Sequence, residues 1–400
     1  MVNKQNVICA IMNNAPIYRT EIARMTDLSI PTVMKITNEF INKGLVKETG
    51  KGESNGGKPP LLLQCVNDAY YIIGVDVGTT NINTIMMDLA AHIHYQCTIP
   101  TDSKRQPKIV LNQIIDSIEQ VTRQSGLDSN RMLGIGIGIA GLLNQNRTGV
   151  VFSPDFGWED VEIIESIKTH FHLPVYMDNV TRAMAMGERW FGLGRDREHF
   201  LCINLGYGIG AALFINGDLY CGDSGSSGEF GHMNMEMNGP LCACGNYGCL
   251  EALASANAMV NKAKFYIEKG VTTQIIDTVN HDISLINAKI IFDAAKQGDQ
   301  LAHEIINDAI HYLGTAIASM INIFDPGLII LEGGVSQAGD ILTQNIQRVV
   351  EQKRMRHAGN STKVVASTSK QIASVGAASY LLKGLVENGG DINRLYSKYC

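Results

Sequence analysis

YIIGVDVGTTNINTIMMD, Tyr71 to Asp88, reads as an apolar strand, a Gly/Thr turn and a second strand. FLCINLGYGIGAALFINGD, Phe200 to Asp218, repeats the arrangement. Asp76 corresponds to Asn204 and Gly78 to Gly206, each 128 positions further on. Apolar strands alternate with helices from Tyr70 onward, so the body is expected to be α/β, built from two similar lobes with a cleft between them. In the second half, GTAIASMINIF reads as a helix, DPG as a turn and LIILEGG as a strand.

The chain has 400 residues, 45% of them hydrophobic, enough to bury cores in two or three domains. Its longest apolar stretch, MLGIGIGIAGLL, is rich in glycine and far shorter than the ~20 residues needed to cross a bilayer. The opening MVNKQNVICAIMNN carries an apolar run too short for a signal-peptide core. Nine cysteines at irregular spacing suit a reducing compartment better than a disulfide framework. A cytoplasmic location is therefore expected. Residues 1–65 hold eight Lys and Arg against five Asp and Glu, which leaves 25 against 34 for the rest. A mildly basic head on an acidic body permits nucleic-acid binding, and equally a solvated face.

The head, 1–66, reads as a helix-turn-helix followed by two strands around a Gly-, Lys- and Ser-rich loop. Thr20 is placed to cap a first helix with Ile22, Ala23 and Met25 inward; Ser29 caps a second with Pro31 in its first turn, and Gly44 stops it. Ile30, Val33, Ile36 or Thr37, and Phe40 to Ile41 recur at helical spacing as its buried stripe, so Thr32 and Lys35 face outward. An outward face of hydroxyl and lysine at a helix N-terminus suits the major groove. Thr20, Arg24, Ser29, Pro31, Thr32, Lys35, Lys51 and Lys58 are the expected contacts to double-stranded operator DNA. The same elements also occur in small protein-interaction domains.

CACGNYGC crowds Cys242, Cys244 and Cys249 into eight residues, with His232 ten residues upstream of the first. Three thiolates and an imidazole suit a tetrahedral zinc ion, and Gly245 and Gly248 let the backbone fold around it. On chemistry alone the tight C-x-C-x4-C spacing leaves a redox or merely structural cluster open.

The combination of DVGTT, LGYGIG, GEFGH, CACGNYGCLEA and LEGG behind a winged helix resembles the ROK family of repressors and sugar kinases, over nearly the whole chain. Within it, the repressor branch of xylose and N-acetylglucosamine repressors is the most similar. The resemblance implies two actin-like, hexokinase-type α/β lobes, 70–190 and 191–400, closing on a monosaccharide, with the C-terminal helix packing back on the first lobe. It implies a structural zinc on His232, Cys242, Cys244 and Cys249. By motif position it implies sugar contacts from Asn179, Glu229, His232 and Glu251, with Asp155 where the family usually has asparagine.

The same resemblance argues against catalysis. Thr79 stands where kinase members have the second glycine of D-x-G-G-T, and Tyr207 where L-G-T-G has threonine. Anchoring N-D-x-N-x-x-x-x-x-E on Glu188 puts Val180 at the catalytic aspartate; a register slip would be needed to bring in Asp178 instead. A missing general base costs about 10²- to 10⁴-fold in rate. The expectation is a zinc-stabilised, homodimeric, sugar-responsive repressor without enzymatic activity. The alternatives are a sugar kinase with an appended DNA-binding domain, or a constitutive DNA-binding or scaffold protein whose body only dimerises.

Overall fold

The computed structural model describes residues 2–51 and 61–399. Lys58, with most of the loop around it, lies outside the described residues. The head opens with α1 (Val2–Asn14), which buries Val7, Ile8, Ala10 and Ile11. The sequence reading passes over this helix. β1 (Ile17–Tyr18), α2 (Arg19–Thr26), α3 (Ile30–Asn42), β2 (Val46–Lys51) and β3 (Leu61–Cys65) follow, and the strands pair antiparallel in the order β1-β3-β2.

Three details of the head differ from the sequence reading. α2 starts before Thr20, with Tyr18 at its N-cap: β1 pairing sets the entry, and the Tyr18 N–H donates to Glu21 Oε2 at 3.2 Å. Met25 is 52% exposed, whereas Ile22 and Ala23 are buried as expected. Ile30, the first residue of α3, is 47% exposed; the buried stripe is Val33, Ile36, Thr37 and Phe40.

β4 (Tyr71–Val77), β5 (Asn81–Asp88), β6 (Ile93–Pro100), α4 (Pro107–Ser125) and β7 (Met132–Ile139) form the first α/β layer. A small sheet of β8 (Leu142–Leu143), β9 (Gly149–Ser153) and β10 (Trp158–Glu162) precedes α5 (Ile164–Phe171), β11 (Val175–Asn179) and α6 (Val180–Phe191). The second layer uses β12 (Phe200–Leu205), β13 (Ile209–Ile215), β14 (Asp218–Tyr220), the helices α7 (Leu250–Ala254), α8 (Ala256–Glu268), α9 (Gln274–Thr278), α10 (Ala288–Lys296) and α11 (Gln300–Phe324), then β15 (Leu328–Glu332), α12 (Asp340–Lys353) and β16 (Lys363–Ala366). α13 (Ile372–Glu387) and α14 (Ile392–Tyr399) end the chain.

The duplication is visible in the sheet topology. One five-stranded sheet runs β11-β7-β4-β5-β6 and the other β16-β15-β12-β13-β14, read from the equivalent edge. β4 and β12 each pair antiparallel with the next strand and parallel with a later one. Residues 72–77 and 200–205 occupy the same place in the two sheets, in keeping with the 128-residue offset.

Contacts divide the chain into two units that are not consecutive blocks. One comprises Met1–Ile139, Glu162–Asp178 and Ser374–Cys400; the other Ala140–Val161 and Asn179–Ala373. The chain passes from one unit to the other after β7, at the end of β10, at the end of β11 and within α13.

In the first unit, α13 lies directly on the sheet. A Cβ at Gly74 would stand 2.0 Å from the Ser374 carbonyl oxygen, and one at Gly136 1.9 Å from that of Ala377, so only glycines allow this approach. The turn after α13 also holds the head. Gln5 Nε2 donates to the Glu387 carbonyl, Lys43 Nζ to that of Gly390 at 3.3 Å, and Gly390 packs against Leu45 and Phe40. In the second unit α11 buries a long apolar stripe, from Leu301 to Ile321, in a core shared with β12, β13 and β15.

Candidate functional site

The second unit gathers the cysteine cluster and most of the expected sugar contacts. After β14, residues 221–228 lead into a single helical turn, Phe230–His232, which carries His232 and is preceded by Glu229. The segment 233–249 then folds back on itself. Met235 N–H donates to Gly248 O at 2.7 Å, Gly248 N–H to Pro240 O at 2.8 Å, and Cys242 N–H to Asn246 O at 2.8 Å. Gly248 has φ +70°, and a Cβ there would collide with the Glu236 carbonyl oxygen at 1.7 Å, which makes glycine obligatory at this crossing. Cys249 is the N-cap of α7, so Glu251 enters that helix in its first turn.

His232, Cys242, Cys244 and Cys249 come together with their ligand atoms all within 4.8 Å of one another. Cys244 Sγ lies 3.7 Å from Cys249 Sγ, and Cys242 Sγ 3.7 Å from His232 Nδ1. Ligands at ~2.3 Å (sulfur) and ~2.0 Å (nitrogen) from a tetrahedral ion would be spaced about 3.5 to 3.8 Å apart, so the donor set fits one such ion. Cys242 and Cys249 are buried, and burial in the absence of a cation pushes both thiols above their ordinary range. This His/Cys3 group can hold a metal ion.

His232 divides its two nitrogens. Nδ1 faces the thiols, while Nε2 lies 3.7 Å from Glu229 Oε2. Glu251 accepts the Ile209 N–H at 2.8 Å through Oε2, and its Oε1 is 3.9 Å from Cys242 Sγ. Gly208 explains how Asp155 joins them: a Cβ there would stand 2.3 Å from Glu251 Oε2 and 3.6 Å from Asp155 Oδ2. Burial raises the Glu229 carboxyl above its usual range and neighbouring Glu251 adds to this, while His232 and Arg182 oppose it. Glu229, His232, Glu251 and Asp155 thus form one polar cluster of carboxylates and an imidazole, a donor and acceptor set suited to vicinal hydroxyls.

Asn179 stands at the junction of β11 and α6. It caps α6, with Oδ1 accepting the Thr181 N–H at 2.8 Å and Nδ2 donating to Gly141 O at 3.1 Å. Val180 is the first residue of α6 and half-buried. Asp178 lies in β11, 1% exposed, and by strand alternation points away from the side of Asn179. Sequence reading passed over Gly208 and Arg182; LGYGIG, which contains Gly208, was compared with L-G-T-G only at Tyr207. It also passed over a buried acid pair. Glu188 is wholly buried, its carboxylate accepting Ser367 Oγ at 2.7 Å and the Leu193 N–H at 2.6 Å. Glu332, 4% exposed, makes a hydrogen bond to it and is pushed far above the usual carboxylate range by burial and by that neighbour.

On the head, Thr20, Arg24, Ser29, Pro31 and Lys35 are exposed. Ser29 is the N-cap of α3, and its hydroxyl is 2.8 Å from that of the half-buried Thr32. Lys51 is the last residue of β2. Ile30 and Met34, each 47% exposed, share the outer face of α3 with Lys35.

Residues 72–384 match the sequence profile of the ROK family. The chain belongs to the ROK family. Residues 3–47 match a winged helix-turn-helix DNA-binding profile. Among relatives of this ROK protein, the xylose repressor of Caldicellulosiruptor bescii is 31% identical over 374 residues, covering 94% of this chain and 93% of the relative. Two solved ROK structures share the fold. A ROK transcriptional regulator described as a homologue of the Escherichia coli MLC protein superposes with a TM-score of 0.83 at 28% identity, covering 99% of this chain and 98% of that one. A ROK glucokinase from Streptomyces griseus, solved with glucose and AMPPNP, gives 0.70 at 28% identity, covering 78% of this chain and 98% of that one. ROK members therefore include both regulators and kinases of this fold. Among the described residues no helix is long and apolar enough to cross a membrane.

Proposed function

We propose that this protein is a carbohydrate-responsive transcriptional repressor, acting in the cytoplasm as a homodimer on operator DNA and binding a monosaccharide in its ROK body without phosphorylating it. The observation that carries the reading is a single chain joining a winged head to a cluster of Asp155, Glu229, His232 and Glu251, with Val180 at the position of the kinase base. A carboxylate cluster can accept sugar hydroxyls; a valine cannot accept a proton. Binding free energy then remains available to shift the affinity of the head for DNA, and by linkage DNA weakens the sugar in the same proportion.

Zinc on His232, Cys242, Cys244 and Cys249 would be structural, since four protein ligands leave no open position. When bound, it supplies a fixed anchor. The residues do the rest: Nδ1 engaged on the thiol side leaves Nε2–H to donate toward Glu229 or a sugar hydroxyl, and Cys249 at the start of α7 aims Glu251. Asn179, the cap of α6, is the further sugar contact that motif position assigns. Exposed Lys35 and Arg24 suit phosphate contacts, and Ile30 and Met34 offer apolar surface to thymine methyls beside the hydroxyls of Ser29 and Thr32.

The test is a gel-retardation assay on genomic fragments retained by the protein, repeated with a panel of monosaccharides. One sugar should shift the retardation curve. No shift with any sugar, or ATP-dependent phosphorylation of one at an ordinary enzymatic rate, would reject the proposal. The second outcome would favour a sugar kinase with a DNA-binding head, the reading that the glucokinase of the same fold keeps in view.

A further inference from the structure

The pattern N-D-x-N that begins at Asn179 ends at Arg182, so a guanidinium stands where the pattern has its second asparagine. Arg182 lies in the first turn of α6 and is 6% exposed. Its Nη2 donates to two backbone carbonyls, Gly225 O at 2.5 Å and Ser227 O at 2.8 Å. Both belong to CGDSGSSG, 221–228, which runs directly into Glu229.

The segment contains no apolar side chain larger than cysteine; Asp223, Ser224, Gly225 and Ser226 are exposed, and Arg147 Nη2 reaches Cys221 Sγ at 3.4 Å. Ser227 donates its N–H to Cys221 O at 3.1 Å and its hydroxyl to Tyr220 O at 2.6 Å, which closes the loop on itself. Its two ends are tied to strands: Cys221 and Ser227 reach carbonyls of β14, and Gly228 O accepts the Ala211 N–H of β13 at 2.9 Å. Ordering a glycine- and serine-rich segment is entropically costly, and a buried cation with two charge-assisted hydrogen bonds offsets that cost. A buried guanidinium also resists removal, because loss of the partners that compensate its desolvation is costly.

We infer that Arg182 is a positioning residue of the carbohydrate site, pinning 221–228 through Gly225 and Ser227 so that Glu229 is presented at a fixed place beside His232. The inference rests on the carbohydrate reading of Glu229, His232 and Glu251. Arg182 does not touch the sugar. Beside the attraction of its charge for the Glu229 carboxylate, its effect passes through the loop, so sugar affinity depends on the geometry of the two hydrogen bonds and not on positive charge alone.

The experiment compares full-length wild type with Arg182→Gln and Arg182→Lys, each required to match wild type in metal content and melting temperature. Two quantities are read: hydrogen exchange of residues 221–229 without sugar, and calorimetric affinity for D-xylose, D-glucose and N-acetylglucosamine. Arg182→Gln should speed exchange in 221–229 alone, and weaken the sugar that wild type binds by about tenfold or more; Arg182→Lys, which keeps a donor at the end of its chain, should recover part of both. Wild-type affinity in a variant whose loop exchanges faster would overturn the positioning role, as would unchanged exchange. If Arg182→Gln fails to fold, Arg182→Lys against wild type carries the same two readouts. Should wild type bind none of the sugars, the carbohydrate reading falls, and with it the role of the loop in binding, while exchange still reports whether Arg182 pins it.

Discussion

Replacing Glu332 by glutamine should stabilise the second unit by an amount that grows with pH. Glu332 is buried beside the wholly buried Glu188, which already accepts Ser367 Oγ and the Leu193 N–H, and one Glu332 oxygen has no partner. Two carboxylates in such contact cannot both ionise cheaply, so the folded protein retains a proton on the pair. In the unfolded chain the same glutamate titrates at its ordinary value, ~4.3. The sign follows: above that value the unfolded state has lost a proton that the folded state keeps. Wild-type stability therefore falls as pH rises, by up to about 1.4 kcal/mol per pH unit, until the folded pair itself titrates. A glutamine amide keeps the donor to Glu188 and removes the titration. The difference between variant and wild type should be small near pH 4 and reach about 3 kcal/mol by pH 7. Trp158 and Trp190, the chain's two tryptophans, both belong to the second unit, so their fluorescence in denaturant titrations reads the right transition. A difference that stays constant between pH 5 and 8, or a variant less stable than wild type at pH 8, would refute the proton-sharing pair.

Other substitutions test the site and the head. Gly208→Ala places a Cβ 2.3 Å from Glu251 Oε2, so it should displace that carboxylate and cut sugar affinity at least tenfold with little change in DNA binding; calorimetry and gel retardation together check this. Cys249→Ser removes one donor of the His/Cys3 group, and metal analysis should fall from about one zinc per chain to well below it, with a lower melting temperature. Well under one zinc per wild-type chain purified without chelator would contradict the zinc assignment outright. Lys35→Ala should weaken binding to specific and unrelated DNA alike, and reduce the slope of log affinity against log salt by about one if Lys35 meets a single phosphate.

Much of the site was legible because its residues lie in two short motifs. GEFGH and CACGNYGC place four soft donors within eighteen residues, and a chain segment that short, punctuated by Gly245 and Gly248, can close on one ion without help from distant elements. Val180 was legible by motif position alone. The head was read correctly at Ser29, whose capping is local, and wrongly at Thr20, where strand pairing of Ile17 and Tyr18 moved the helix start. Ile30 and Met25 show the same limit, since apolar spacing marks a face but not whether anything covers it.

By itself the sequence determined the two-fold repetition of the body, the helix-turn-helix order and the metal-binding group, because strand alternation, turn chemistry and short-range ligand spacing are properties of neighbouring residues. Only the tertiary structure decided that Asp155, Gly208, Glu229 and Glu251 meet, that His232 turns one nitrogen to the thiols and the other to a carboxylate, and that Glu188 and Glu332 share a buried space. The longest of these encounters, Asp155 with Glu251 and Glu188 with Glu332, join residues about a hundred positions apart or more. They depend on how sheets and helices pack, and on glycines such as Gly74, Gly136 and Gly208 that leave room where any side chain would collide.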